Sequence, residues 1–290
     1  MPLKGIQMKL PFQIMLSALL LPPFTLHGQQ ANTTPMRPME PIPSNVTYAP
    51  ANSSLPTIFI VGDSTSVGWG PQFAPFFETR KVNVVVAGAS GRSSRTYMTE
   101  GLWDRVRAHI HAHDVVLIQF GHNDSSGLND PFRARGTMKG IGDETEEIDN
   151  QLTKKHEVVH SYGWYLRRYV QDTKAKGAVP VILSLTPDNV WNGDKMAPSN
   201  VRFAGWAADV AEQEHVNYVN INAILNDRYS KLGKEKTREL FATNDKIHLT
   251  KVGWQLNALW ILEALERLGD TPVDRFLSVR GKEALPVSPK

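Results

Sequence analysis

Five apolar runs, separated by helix-compatible stretches and followed by polar clusters, predict an α/β chain with a mostly parallel, five-stranded sheet wound on both faces. The runs occupy residues 57–61, 82–87, 115–120, 179–185 and 216–221. Most are apolar throughout rather than alternating, as expected for strands covered on both sides. Alternation of strands with helices joins them by right-handed crossovers and puts ligands outside the carboxyl ends of the strands. The residues just after each run therefore carry the functional argument.

The first run ends in Gly62-Asp63-Ser64-Thr65-Ser66, an abrupt change from apolar to polar. The second leads into Gly88-Ala89-Ser90-Gly91-Arg92-Ser93-Ser94-Arg95, and a helix is expected over 101–112. The third ends in Gly121-His122-Asn123-Asp124. The acidic run 143–147, followed by Lys154 and Lys155, reads as a solvated insertion, with a helix over 156–176 beyond it. The fourth run gives way to Thr186-Pro187-Asp188-Asn189-Val190-Trp191 and a helix over 199–215. After the fifth, a helix is expected over 221–232. Near the C-terminus Asn244-Asp245-Lys246-Ile247-His248-Leu249 precedes a last helix from Thr250, a good N-cap, to about 268. Residues 271–290 read as a tail.

The chain of 290 residues is 41% hydrophobic and 21% charged, an ordinary globular composition. Its first residues differ. Lys4 and Lys9 precede an apolar run from Ile14 to Leu21 and small residues near Gly28, the pattern of a secretory signal over 1–28. The run is shorter than the roughly 20 residues needed to span a bilayer. Residues 29–56, with Pro at 35, 38, 41, 43, 50 and 56, read as a linker without a core of its own. The expected mature chain is thus 57–270 plus its tail, secreted or periplasmic, with no membrane attachment once the signal is cleaved. Removing 1–28 leaves 30 basic and 29 acidic residues, so the charge falls from +3 to +1 and nucleic acid is not an expected partner. With zero cysteines, disulfides, thiol catalysis and cysteine-ligated zinc are excluded. A monomer is expected.

Three of the polar clusters sit at carboxyl ends of strands, and together with the C-terminal one they supply the groups acyl transfer requires. These are a nucleophile, a base, a group that orients the base, and donors aimed at a developing oxyanion. Ser64 is the candidate nucleophile, His248 its base and Asp245 the orienting acid, the last two close enough in sequence to share one loop. The candidate oxyanion donors are the backbone N–H groups of Ser64 and Gly91 and the side-chain amide of Asn123. No Gly-x-Ser-x-Gly occurs, so a nucleophile elbow is not available.

The blocks Gly62-Asp63-Ser64, Gly91, Gly121-His122-Asn123-Asp124 and Asp245-x-x-His248 resemble those of the SGNH (GDSL-type) hydrolase superfamily from about residue 57 to 268. Residues 91–97 and 186–191 are similar to those of rhamnogalacturonan acetylesterases of carbohydrate esterase family twelve. Members often carry Asn and Ala where this chain has Val86 and Gly88. The resemblance implies a three-layer α/β/α sandwich of flavodoxin-like topology. It also implies a cofactor-free serine esterase acting on acetylated polysaccharide, most readily pectic.

Arg92 is a candidate contact for an acidic sugar, with Arg95 beside it, or else a brace for loops. Trp191 is a candidate stacking surface for a sugar ring, or a cover for the core. His109, His111 and His113 read as polar residues at a helix end, and no metal is expected. Other readings stay open: a lipid, thioester or acetylxylan hydrolase on the same scaffold, a carbohydrate-binding protein without turnover, or a metal-dependent phosphoesterase using Asp63, His122, Asp124 and Asp245.

Overall fold

In a computed structural model the described residues are 41, 46–269 and 271–286, all within one compact unit. The expected signal and most of the linker lie outside them. Strand β1 (Thr57–Gly62) leads into helix α1 (Ser64–Phe73), and β2 (Asn83–Val86) into α2 (Ser94–Thr99) and α3 (Leu102–Arg107). After β3 (Val115–Gln119) comes an antiparallel hairpin of β4 (Thr145–Asp149) and β5 (His156–His160), then α4 (Tyr162–Ala175). Strand β6 (Val179–Leu183) precedes a small hairpin, β7 (Trp191–Asn192) and β8 (Lys195–Met196), followed by α5 (Val201–Gln213). Strand β9 (Asn217–Val219) leads to α6 (Ile221–Leu232), α7 (Lys234–Leu240) and α8 (Lys251–Glu266), and the described chain closes with α9 (Val279–Ala284).

The five predicted strands form one sheet in the order β2-β1-β3-β6-β9, with all four pairings parallel. In register, Ile60 lies beside Leu117 and Leu117 beside Val181. Successive residues of a strand face opposite sides, and here both sides are packed. Phe59, Val61, Val116 and Ile118 meet Tyr97, Trp103, Tyr169 and Phe203 from α2 to α5. Ile58, Ile60, Val115 and Leu117 meet Trp69 and Phe73 of α1 and Ile261 and Leu262 of α8. The unbroken apolar runs are a consequence of burial on two faces.

Three expectations are corrected. Residues 156–160 are not the start of α4 but strand β5. Its Val159 is buried, and its Glu157 reaches the fully buried Arg95, contacts that a helix would not deliver. The acidic run, exposed as a solvated insertion should be, forms one edge of that hairpin. The expected tail packs back on the sheet: Val273 and Leu277 are buried in the α1–α8 core. The end of the expected linker is also engaged. Tyr48 packs on the other core beneath the Arg105 guanidinium, 5.6 Å from its ring centre, and Asn52 N–H donates to Asn83 Oδ1 at 3.1 Å. Among the described residues no helix is long and apolar enough to cross a membrane.

Candidate active site

Ser64 is the first residue of α1, immediately beyond β1. Asp63 caps that helix: its Oδ1 accepts from Thr65 N–H at 2.9 Å and from Thr65 Oγ1 at 2.8 Å. The cap holds the turn and leaves the N–H of Ser64 without an acceptor among the described residues, at the positive end of the helix dipole. The helix itself is built by close approach. A Cβ at Gly68 would sit 2.3 Å from the Trp254 ring, and one at Gly70 would sit 2.7 Å from Val86.

Asp245 and His248 lie on the loop before α8, whose N-cap Thr250 accepts from Gly253 N–H. Asp245 folds onto its own loop, Oδ1 accepting from the N–H groups of Ile247 at 2.8 Å and His248 at 3.0 Å. Its Oδ2 lies 2.7 Å from His248 Nδ1, and His248 Nε2 lies 2.8 Å from Ser64 Oγ. Partial burial alone would raise the Asp245 pKa. The two backbone N–H groups and the imidazole outweigh it, and the carboxyl is held below its usual range. An ionised Asp245 requires the proton of a neutral imidazole on Nδ1, which leaves Nε2 as the acceptor for Ser64 O–H. This is the geometry for withdrawing a proton from Ser64. The side chains of His248 and Asp245 are 43% and 35% exposed, so the pair stands at an accessible rim.

The triad loop is held from the side by the segment after β6. Asn189 N–H donates to Lys246 C=O at 2.7 Å, and Asp188 lies 2.9 Å from Lys246 Nζ. No sequence motif marks this clamp, although Asp188 and Asn189 fall in a stretch already singled out.

Gly91 has φ +78°, a conformation that favours glycine, and its N–H has no acceptor among the described residues. Asn123 Nδ2 donates to Arg92 C=O at 2.8 Å, which uses one amide hydrogen and leaves the second for a ligand. Asp124 is 1% exposed and accepts from Ser94 Oγ at 2.5 Å and Ser94 N–H at 3.1 Å, tying the third strand's loop to α2. Burial pushes its carboxyl up to about 7. His122 bonds Thr186 Oγ1 at 3.0 Å, and burial pushes it down. At Gly88 a Cβ would lie 2.2 Å from Ser66 Oγ, so the local packing suits glycine.

Arg92 and Arg95 both brace their loops. The Arg92 side chain is 7% exposed, pairs with Glu100 at 3.0 Å and donates to Ser90 C=O at 2.9 Å. Arg95 is fully buried, binding both oxygens of Glu157 at 2.7 Å and the carbonyls of Leu128 and Gly136. Trp191 is placed differently. It is half-buried, its Nε1 donates to Asn189 Oδ1 at 2.7 Å, and it lines a cleft of about 940 Å³ beside Asp245. Lys234, Arg238, Phe241 and Asn244 line the same cleft.

The four residues of the phosphoesterase alternative engage separate partners: Asp63 faces Thr65, His122 faces Thr186, Asp124 faces Ser94 and Asp245 faces His248. Among the described residues no three His, Asp or Glu side chains converge as metal ligands.

Fold and site together place a serine, a histidine and an aspartate in hydrogen-bonded series at the edge of a parallel α/β sheet. Residues 60–256 match the model of the GDSL-like lipase/acylhydrolase family, and the chain belongs to that family. A rhamnogalacturonan acetylesterase of Emericella nidulans is 32% identical over 214 residues, which covers 72% of this chain and 84% of that protein. One of Bacillus subtilis is 23% identical over 250 residues, with coverage of 78% and 96%. Among solved structures, Bacillus subtilis protein YXIM superposes with a TM-score of 0.60 at 18% identity. That match covers 74% of this chain and 57% of the longer one, and the likeness is one of fold.

Proposed function

We propose that this chain is a secreted acetylesterase that removes acetyl groups from a plant cell-wall polysaccharide, with acetylated rhamnogalacturonan the leading substrate. The observation that carries the reading is the continuous series Ser64 Oγ–His248 Nε2 at 2.8 Å and His248 Nδ1–Asp245 Oδ2 at 2.7 Å, beside the N–H groups of Ser64 and Gly91, which meet no acceptor among the described residues. The similarity to the Emericella nidulans enzyme supports the choice of substrate.

In this reading Ser64 Oγ attacks the acetyl carbonyl while its proton passes to His248 Nε2. Asp245 stabilises the imidazolium without taking its proton. The carbonyl oxygen, now an anion, is met by the N–H groups of Ser64 and Gly91 and by Asn123 Nδ2. The C–O bond to the sugar then breaks, and His248 returns the proton to the departing sugar oxygen. Water, deprotonated by His248, attacks the acetyl-enzyme and releases acetate and Ser64. The polymer would lie along the cleft beside Asp245, with a sugar face on Trp191. Lys234 and Arg238, rather than Arg92 and Arg95, would meet uronate carboxylates.

Release of carboxylic acid from acetylated rhamnogalacturonan, acetylated xylan, a long-chain ester and an acyl thioester tests the substrate. The reading expects the pectic polymer to give the highest kcat/KM. Preference for xylan or for the long-chain ester would keep the acyl-transfer chemistry and replace the substrate. Binding of the polymer with no acetate released would favour a carbohydrate-binding protein.

A further inference from the structure

The segment between β3 and β4 reaches back beneath the Gly91 loop, and its Arg135 is the residue that arrives there. Arg135 is 8% exposed; its Nη1 donates to Gly91 C=O at 2.8 Å and its Nε to Ser126 Oγ at 3.1 Å. The segment is constructed to deliver it. Asp130 accepts from the N–H groups of Phe132, Arg133 and Ala134, and Ala134 takes φ +39°. At Gly136 a Cβ would lie 2.0 Å from Ser126 C=O, so only glycine allows the two strands of the loop to approach so closely. Gly136 C=O is in turn gripped by Arg95, and Thr137 N–H donates to Asp124 C=O at 3.0 Å.

Four successive carbonyls of the loop are thereby committed. Ala89 C=O accepts from Arg92 N–H, Ser90 C=O from Arg92 Nη1, Gly91 C=O from Arg135 and Arg92 C=O from Asn123. With no side chain, Gly91 cannot be fixed by packing, and its carbonyl, like that of Arg92, is held from outside the loop. The donor is a cation, although a neutral donor would satisfy a carbonyl. Among the described residues Arg135 has no ion-pair partner within 4.0 Å; burial first, and then the neighbouring Arg133 cation, push it down to about 10, with Asp63, Asp124 and Asp130 partly offsetting the cost. A buried, unpaired guanidinium is expensive, and the developing oxyanion is the charge that would make use of it.

We infer that Arg135 is a positioning residue for the oxyanion site: by holding Gly91 C=O it fixes the peptide unit that follows the Gly91 N–H donor, across the Gly91 Cα, and it places a positive charge beside that loop. The inference rests on the acyl-transfer reading of Ser64. It also gives the insertion between β3 and β4 a task in the reaction.

The test uses the full chain with Arg135→Lys, Arg135→Gln and Arg135→Ala, and Ser64→Ala as reference. Hydrolysis of a soluble acetate ester, thermal midpoint, and inhibition by phenylboronic acid, whose adduct with a serine is tetrahedral and anionic, are measured for each. Since one direct oxyanion donor carries about 10²–10³-fold in kcat, an indirect one should carry about 10–10²-fold. The expected result is that loss in kcat for Gln and Ala, with KM within about twofold and boronate affinity falling in parallel. Lys, which keeps the charge, should recover most of the rate. A lowered thermal midpoint with kcat and boronate affinity near wild type would overturn the inference, leaving a structural brace. A Lys variant as slow as Ala would overturn it too, because the charge would then be irrelevant. If Ala does not fold, the near-isosteric Gln decides. Wild-type rates in Ser64→Ala would overturn the acyl-transfer reading itself, a result distinct from either.

Discussion

Replacing Asp124 by Asn should change how stability depends on pH. Asp124 is 1% exposed, and burial lifts its carboxyl to about 7 in the folded protein, against about 3.9 in an unfolded chain. The folded state then binds a proton that the unfolded state lacks throughout the interval between these values. Stability from this group is full below pH 4 and is lost as pH rises through 7, at about 1.4 kcal/mol per pH unit. Between pH 5 and pH 8 the loss approaches about 3 kcal/mol. Asn keeps an oxygen for Ser94 Oγ and has no proton to lose, so Asp124→Asn escapes this change. At about 2–4 °C per kcal/mol, the thermal midpoint of the variant relative to wild type should rise by about 6–12 °C from pH 5 to pH 8. Melting both proteins at the two pH values measures it, and every other titrating group cancels in the difference. A wild-type-minus-variant difference that stays constant between pH 5 and pH 8 would refute the reasoning and make Asp124 an ionised carboxylate in the fold.

Glu157→Ala leaves the fully buried Arg95 without its carboxylate and should cost about 3–5 kcal/mol, read by urea titration. Because the Arg95 and Asn150 hydrogen bonds overcome burial and hold Glu157 below its usual range, that contribution should also disappear as wild type is acidified through the Glu157 pKa. Trp191→Ala should lower kcat/KM for polymer by about 2–10-fold, the worth of one aromatic contact, while hydrolysis of a small acetate ester changes little. Equal losses on both substrates would remove Trp191 from sugar binding. Incubation with EDTA should leave ester hydrolysis unchanged, since the proposed chemistry uses only protein groups.

The sheet was legible because two-sided burial writes itself into the chain as continuous apolar runs; four of its strands fall within them and β1 overruns its run by Gly62 alone. The positions of Ser64, Asn123, Asp245 and His248 followed from the ends of those runs and from the loop before α8. Helix α1 was not legible. Gly68, Gly70 and Pro71 give it poor intrinsic propensity, and it persists through the Asp63 cap and through packing on Trp254 and Val86. Strand β5 was mistaken for helix because its reason for being a strand lies in distant partners, β4 and Arg95. The same distance hid the roles of arginines. Arg92 and Arg95 sit beside the site in sequence yet turn inward, whereas Arg135, which touches Gly91, lies 44 residues away in a stretch without a motif.

The central claim is that Ser64, activated by His248, is the nucleophile. The most direct measurement is kcat for a soluble acetate ester with purified Ser64→Ala whose thermal midpoint matches wild type. Ser64 lies on the accessible rim, so the fold should persist, and kcat should fall by about 10⁴-fold or more, leaving what the oxyanion donors provide alone. A folded Ser64→Ala protein retaining kcat within tenfold of wild type would contradict the account.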